Sequence, residues 1–472
     1  MRRVERDRFV EILHDFWENF KHNLFKPLLL FFYMGFSVPI LKVGFEFPYV
    51  IYQGLTIYLL VAIGWHGGEE LAALSGAEFR QAGGFMIVGF VLNFILGILA
   101  YLILRAFTRL RKVDAATVAA YYGSDSAGTF VTCVGVLTGL QSLMLMTALE
   151  ASHIKPSDIG LRNDVTLASV GATLEDETAV ERIKAKGIDI EKVKAAKAAG
   201  DRYKYAPYMP VMLAVMEIPG CLVGLYLVSQ FRHAGMDRLG NMPNEPGYDP
   251  SARPADPVVG AGGHGHGGSS AELEVEKSDG NSVRGSSKPP SIFSAALLHE
   301  VFLNPGLFLL FGGILIGYVG RIQGKTVTDV DDPVFVSLFQ GFLCLFLLEM
   351  GMTASRRLKD LKTAGWKFIA CALIMPNIFA TIGMIVAHGY SHAIGEPFEL
   401  GTYALFAVLC GAASYIAVPA VQRMAIPEAS PTLPLAASLG CTFSYNVTIG
   451  IPVYIEIAKL IMKSYPVHGT PL

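Results

Sequence analysis

The chain has 472 residues, of which 52% are hydrophobic and only 17% charged; this excludes an ordinary soluble domain and points to a polytopic membrane protein. A formal net charge of −2 supplies no basic field, so nucleic acid is not an expected partner. The six cysteines fall inside apolar runs with no CxxC pair, and they read as small buried hydrophobes instead of a disulfide frame or a zinc site.

Residues 1–26 carry Phe9, Leu13, Phe16, Trp17 and Phe20 at helical spacing opposite arginines and lysines. That pattern predicts an amphipathic segment, lying on a membrane surface or on the protein's own loops. No short apolar core with a small-residue cleavage site follows it, so a signal peptide is not expected. Four spans then fill 27–150, at about 27–43, 48–68, 83–105 and 115–150, since roughly 20 apolar residues make one crossing. The fourth is interrupted at "YYGSDSAGTF", Tyr121 to Phe130. Residues 151–204 read as a soluble polar insert, and 205–232 hold a fifth span. The stretch 233–291 is rich in Gly, Ser and Pro and predicts a disordered linker. Residues 292–472 supply five more spans, at about 304–320, 334–354, 365–388, 401–424 (interrupted) and 433–461.

The two five-span halves resemble each other. "FKPLLLFFYMG" answers "LNPGLFLLFGG", setting Pro27 against Pro305 and Gly35 against Gly313, while "LLVAIGWHGGEEL" answers "FLLEMGMTASRRL", setting Gly64 against Gly351. An odd number of spans per copy turns the second copy upside down. The expected fold is therefore all-α, with about ten transmembrane helices in two inverted repeats and interrupted helices at spans four and nine. Arg105, Arg109, Arg111 and Lys112 between spans three and four, and Arg356, Arg357, Lys359, Lys362 and Lys367 between seven and eight, place those loops and the linker in the cytoplasm. The insert then lies outside. The basic residues of the N-terminal segment run against this orientation.

The interruptions carry the chemistry. Gly123 and Gly411 can each end a half-helix, and Pro419 suits the first turn of a new one. Unpaired backbone cannot face lipid, so such breaks are expected only where they are buried in protein or line a wet cavity. Two half-helix N-termini converging there favour a small anion. Ser124, Ser126, Thr129 and Ser414 offer hydroxyl oxygens suited to a hard cation such as Na⁺. Asp125 stands among them, and an ionisable residue inside a span is functional by default. Glu217 in "AVMEIPG" precedes Pro219, Glu349 lies in span seven, and Thr442 and Asn446 share one face of span ten. Each is a candidate cation ligand, although an acid in a span can equally serve an ion pair. His264 and His266 in the linker form at most a loose metal site. No P-loop, GxSxG, HExxH or dinucleotide fingerprint appears, so neither an ATP-driven pump nor a bound cofactor is expected.

At "YGSDSAGTF", "MEIPG", "LEMGMTASRRLKDL" and "AASYIAVPAVQRMAIPEASP" the chain resembles the sodium-dependent bicarbonate transporter family, the SbtA-type permeases. The resemblance spans most of both halves but not the N-terminal segment or the insert. It implies a non-enzymatic symporter, a homotrimer of 5+5 inverted repeats in lipid; the topology and the lack of a transit-peptide pattern lead to the cell inner membrane as the expected setting. Bicarbonate and Na⁺, the coupling ion, would bind where the broken helices meet, and a PII-like regulatory protein would dock on the cytoplasmic face. Position by position, Ser126, Thr129 and Ser414 match family hydroxyls in the two breaks, and Glu217 matches an acid before the Ile-Pro. Together with the reading of the residues themselves, substrate is expected at Ser124, Asp125, Ser126, Thr129, Ser414 and Tyr415, and sodium at Ser126, Thr129, Glu217, Ser414, Thr442 and Asn446. Cyanobacterial members carry an aspartate where this chain has Tyr415, a serine where it has Gly128, and an apolar residue where it has Asp125. The acid has either moved between the two breaks or changed the transported species. The alternatives are a symporter for another small inorganic or organic anion, coupled to Na⁺ or H⁺, an intramembrane enzyme using Asp125 and Glu217, and a sensor whose spans only anchor it.

Overall fold

The computed structural model describes residues 27–161, 165–249, 305–358 and 365–467. The amphipathic segment 1–26, the histidines of the linker and most of the linker itself lie outside the described residues. All regular structure within them is helical. In chain order the first half holds α1 (Pro27–Ile40), α2 (Tyr49–Ala72), α3 (Gly76–Phe107), α4 (Lys112–Tyr122) and α5 (Ala127–Ala151). It continues with α6 (Leu167–Glu175), α7 (Glu177–Ala185), α8 (Ile190–Asp201) and α9 (Met209–His233). The second half holds α10 (Pro305–Gln323), α11 (Phe339–Arg357), α12 (Trp366–Ile394), α13 (Leu400–Gly411) and α14 (Ala417–Ala425). A last helical run from Leu433 passes through wider, π-type turns over Ala436–Phe443 and Asn446–Gly450 into α15 (Ile451–Ser464).

Among the described residues seven helical segments are long and apolar enough to cross a bilayer, and Pro27–Ile40 and Leu400–Gly411 are shorter apolar helices. Ten spans were expected. Three fall short of a full-length regular helix for local reasons. The described part of the first begins at Pro27, the ninth stops at Gly411, and the tenth mixes turns of different pitch.

Two groups of helices form. In one, α1 packs along α11 and α2 along α10, each pair joining the two halves of the chain. Glycines allow the backbones to approach. A side chain added at Gly35 would meet the Leu348 carbonyl and one at Gly351 the Phe32 carbonyl; Gly64 would meet Leu310 and Gly313 would meet Val61. In the other group α3, α4 and α9 pack together, as do α12, α13 and α15, and α3 touches α12 across the halves. The break regions are buried between the groups.

The polar insert has a core of its own. Val170, Ile183, Val193 and Ala196 pack against Leu145 and Leu149, on the part of α5 that extends beyond the main bundle. Side-chain caps at Thr166, Asp176 and Asp189 start its three short helices. At the other end of the molecule folded structure continues past the expected start of the linker, through Asp249. There Asp237 accepts from the backbone N–H groups of Leu239, Asn241 and Asp249 and from the Asn241 amide. Burial opposes its charge, but these donors outweigh it and hold the carboxyl below the usual range. Glu428, buried after α14, pairs with Arg232 at the end of α9 through contacts of 3.0 and 2.8 Å.

Candidate functional site

α4 ends because Gly123, after Tyr121 and Tyr122, leads into a polar sequence that favours local side-chain bonding over helix. The chain re-enters helix at Ser126, whose hydroxyl accepts from the Thr129 N–H at 3.3 Å and from the Thr129 hydroxyl at 3.0 Å. That cap serves the third residue of α5. Helix geometry leaves the N–H groups of Ala127 and Gly128 facing the break. In the second half α13 ends at Gly411 and α14 begins at Ala417, with residues 412–416 between them.

The two breaks meet. The backbone N–H of Ser414 donates to the carbonyl of Tyr121, the next-to-last residue of α4, at 2.9 Å. The Tyr415 hydroxyl lies over Gly128 in the first turn of α5, so close that a Cβ there would fall 1.8 Å from it. Ala127, at the start of α5, and Ile416, just before α14, line a cavity of about 10 Å³ together with Glu217, Leu60, Leu213, Gly306 and Leu310. Space of that size suits one water or one small ion, not an open channel.

Glu217 reaches the same place from α9. Its side chain is 3.5 Å from the Ser414 hydroxyl, a long contact. Pro219 cannot donate within α9, and the turn around it is bonded from outside: the Asn93 amide donates to the Met216 carbonyl at 2.9 Å and the Ser124 hydroxyl to the Glu217 carbonyl at 2.6 Å. Gly220 lies against the Ala120 carbonyl and the Ser124 hydroxyl, which brings α9 onto the end of α4. Asp125 is fully buried, and neither carboxylate oxygen has a hydrogen-bond partner.

The structure thus gathers Ser124, Asp125, Ser126, Thr129, Glu217, Ser414 and Tyr415, all buried, at one centre. It gives Thr442 and Asn446 other work. Pro376 in α12 leaves the Ala372 carbonyl without its helical donor, and the Thr442 hydroxyl supplies one at 2.9 Å while accepting from Tyr122 at 2.6 Å. Asn446 donates to the carbonyl of Gly411, where α13 stops, at 2.9 Å and accepts from the Tyr454 hydroxyl at 2.6 Å. Their polar atoms repair interrupted backbone. Glu349 stands apart, on α11, where the Thr353 hydroxyl donates to it at 2.8 Å. Asn93 was missed; its only signal was a lone amide within a 32-residue apolar helix.

Chemically, the centre offers hydroxyls, a carbonyl-rich backbone, two acids and two helix N-termini. That set suits an alkali cation and a small anion. No cluster of three or more His, Cys, Asp or Glu side chains suited to a metal ion occurs among the described residues.

Apolar helices of membrane-crossing length, wrapped around a buried polar centre, define a multi-pass membrane protein built as transporters are. The family description Na⁺-dependent bicarbonate transporter superfamily matches residues 27–151 and 193–459, and the chain belongs to that superfamily. Comparison with curated proteins found no match.

Proposed function

We propose that the protein is a secondary transporter that takes up bicarbonate with sodium by alternating access, with both ions bound where the two breaks meet. The observation that carries this reading is the junction itself. One interrupted segment from each half, Tyr121 to Thr129 and Gly411 to Ile416, is joined by the Ser414–Tyr121 backbone bond beside the Glu217 carboxylate. Sodium would take Glu217 with hydroxyls of Ser126, Thr129 and Ser414. The anion would take the N–H groups opening α5 and α14. Each ion alone meets uncompensated charge in a dry site, so the two load together.

The helix pairing supports an inverted repeat. Exchanging the halves turns the α1–α11 pair into the α10–α2 pair, and the α3, α4, α9 group into the α12, α13, α15 group. The glycines follow the same exchange: Gly35 and Gly351 at one interface correspond to Gly313 and Gly64 at the other. The group of α1, α2, α10 and α11 would stay in place while the group bearing the breaks moves against it. We place this function in the cell inner membrane.

Uptake of labelled bicarbonate into proteoliposomes, with and without an inward sodium gradient, tests the proposal. Sodium-dependent uptake in the wild type, lowered at least tenfold by Glu217→Gln, is the expected result. Well-folded protein that takes up no bicarbonate would sink it. A second reading, a different small anion, rests on Tyr415 and Gly128, where the tyrosine fills the space left by the glycine and reshapes the site relative to cyanobacterial members; in that case other anions would compete or be carried.

A further inference from the structure

We propose that Asp125 holds a cation of its own, next to the one assigned to Glu217 and the hydroxyls, so that the loaded site carries two alkali cations for each anion. The proposal rests on the transport reading above.

Among the described residues, buried side-chain oxygens without a partner are few, and Asn93 Oδ1 and both oxygens of Asp125 are three of them. An unpartnered buried polar atom costs about 1–3 kcal/mol, and more when charged, so a cluster of them needs a reason. These atoms belong to one neighbourhood. The Asn93 amide and the Ser124 hydroxyl bond successive carbonyls of α9, those of Met216 and Glu217. Asp125 follows Ser124 directly. Gly123 lies against Gly97 of α3 and Gly220 of α9, which presses α3, α4 and α9 together at that point.

As an ionised carboxylate Asp125 is not a direct contact for an anion, because like charges repel. It also lacks the usual partner of a buried acid. The charged group acting on it is a second acid, Glu217, and its other neighbours include Cys410 on α13. The charge count then decides. With both carboxylates ionised, they and one bicarbonate place three negative charges in one dry centre. The N-termini of α5 and α14 offset about half a charge each. A single sodium leaves the centre about one charge negative, whereas two bring it close to neutral. Oxygen-only donors with no nitrogen ligand select a hard cation.

Binding of radioactive sodium to the purified full-length protein in nanodiscs at saturating bicarbonate tests this, because the anion balances the second cation. The expected counts are two sodium ions per chain for the wild type and one for Asp125→Asn, with the Hill slope falling from near two to one. Asp125→Ser, a second way of removing the charge, should match Asp125→Asn, and monodisperse elution would verify folding of both. Equal counts in wild type and variants, or one ion in the wild type, would overturn the proposal. Proteoliposomes separate it from the transport reading. Two sodium ions per bicarbonate carry net positive charge inward, so an inside-negative potential should speed uptake by the wild type. Sodium-driven bicarbonate uptake indifferent to potential would leave the transporter intact and remove the second cation. Loss of bicarbonate uptake with two bound sodium ions would do the reverse.

Discussion

Gly128 and Tyr415 are best understood as one unit. The phenol comes from the second break and its hydroxyl ends against the first turn of α5, in the volume that a side chain at position 128 would fill. Phe346 of α11 closes the same space, and Phe443 packs edge-on against the Tyr415 ring at 5.4 Å. The serine of cyanobacterial members is therefore incompatible with this tyrosine, and each departure explains the other. Gly128→Ala should destabilise the protein by about 1–3 kcal/mol, the range for overpacking a filled site. Removing the hydroxyl relieves the clash at its nearest atom. Gly128→Ala combined with Tyr415→Phe should thus melt closer to wild type than Gly128→Ala alone, measured as thermal unfolding in detergent. Additive losses in the double variant would mean that the two positions do not share the space. The same geometry has a functional side: the tyrosine covers the helix N-terminus proposed to bind the anion, so this contact sets how much room an anion has.

At the scale of helices, the close-packed pairs α1–α11 and α2–α10 rest on glycines that admit a facing carbonyl. A Cβ at Gly64 would stand 2.5 Å from the Leu310 carbonyl oxygen, and one at Gly351 would stand 2.2 Å from that of Phe32. Gly64→Ala and Gly351→Ala should therefore each cost about 1–3 kcal/mol, and by similar amounts if the interfaces are equivalent. Melting curves of the two variants, compared with the unconstrained Gly312→Ala, check this; a variant at Gly312 meets open space and should keep or slightly raise stability. This scale also shows what the sequence could reveal. The breaks were legible because Gly, Ser, Asp and Pro interrupt otherwise continuous apolar windows, a local signal. The glycine correspondence was visible as a repeat, but not that Gly35 would face Leu348 across a helix pair, because partner choice depends on the whole chain. Thr442 and Asn446 show the same limit from the other side. A polar residue in a span looks like a ligand, and only its partner in space shows that it serves the carbonyl freed by Pro376 or the end of α13. Asn93 was silent for the opposite reason, since one amide in an apolar helix leaves the hydropathy pattern untouched.

Taken as a whole, the molecule divides into a bundle that the family description covers and an addition that it does not. The match leaves out residues 152–192, and these hold the turn after α5, then α6, α7 and the start of α8. Their apolar residues pack among themselves and onto Leu145 and Leu149, in a cluster separate from the main core. The return path is also short. α8 runs back along α5, with Gly200 against the Gln141 carbonyl, and the Gln141 amide donates to the Tyr203 carbonyl at 3.0 Å. Ala151 lies ten residues beyond Gln141 and Ile190 ten residues before Gly200, so at about 1.5 Å of rise per residue the two stand at similar height. A tight Gly/Ser turn can therefore replace residues 155–188 without stretching either helix. The shortened protein should fold and keep sodium-driven uptake within about twofold of wild type, while the newly bared Leu145 and Leu149 cost about 1–3 kcal/mol each in stability. Uptake assays and melting curves on the same preparation separate the two effects. A shortened chain that folds and binds sodium but carries nothing would show instead that the addition takes part in the transport cycle, restraining or driving the helix that bears the first break.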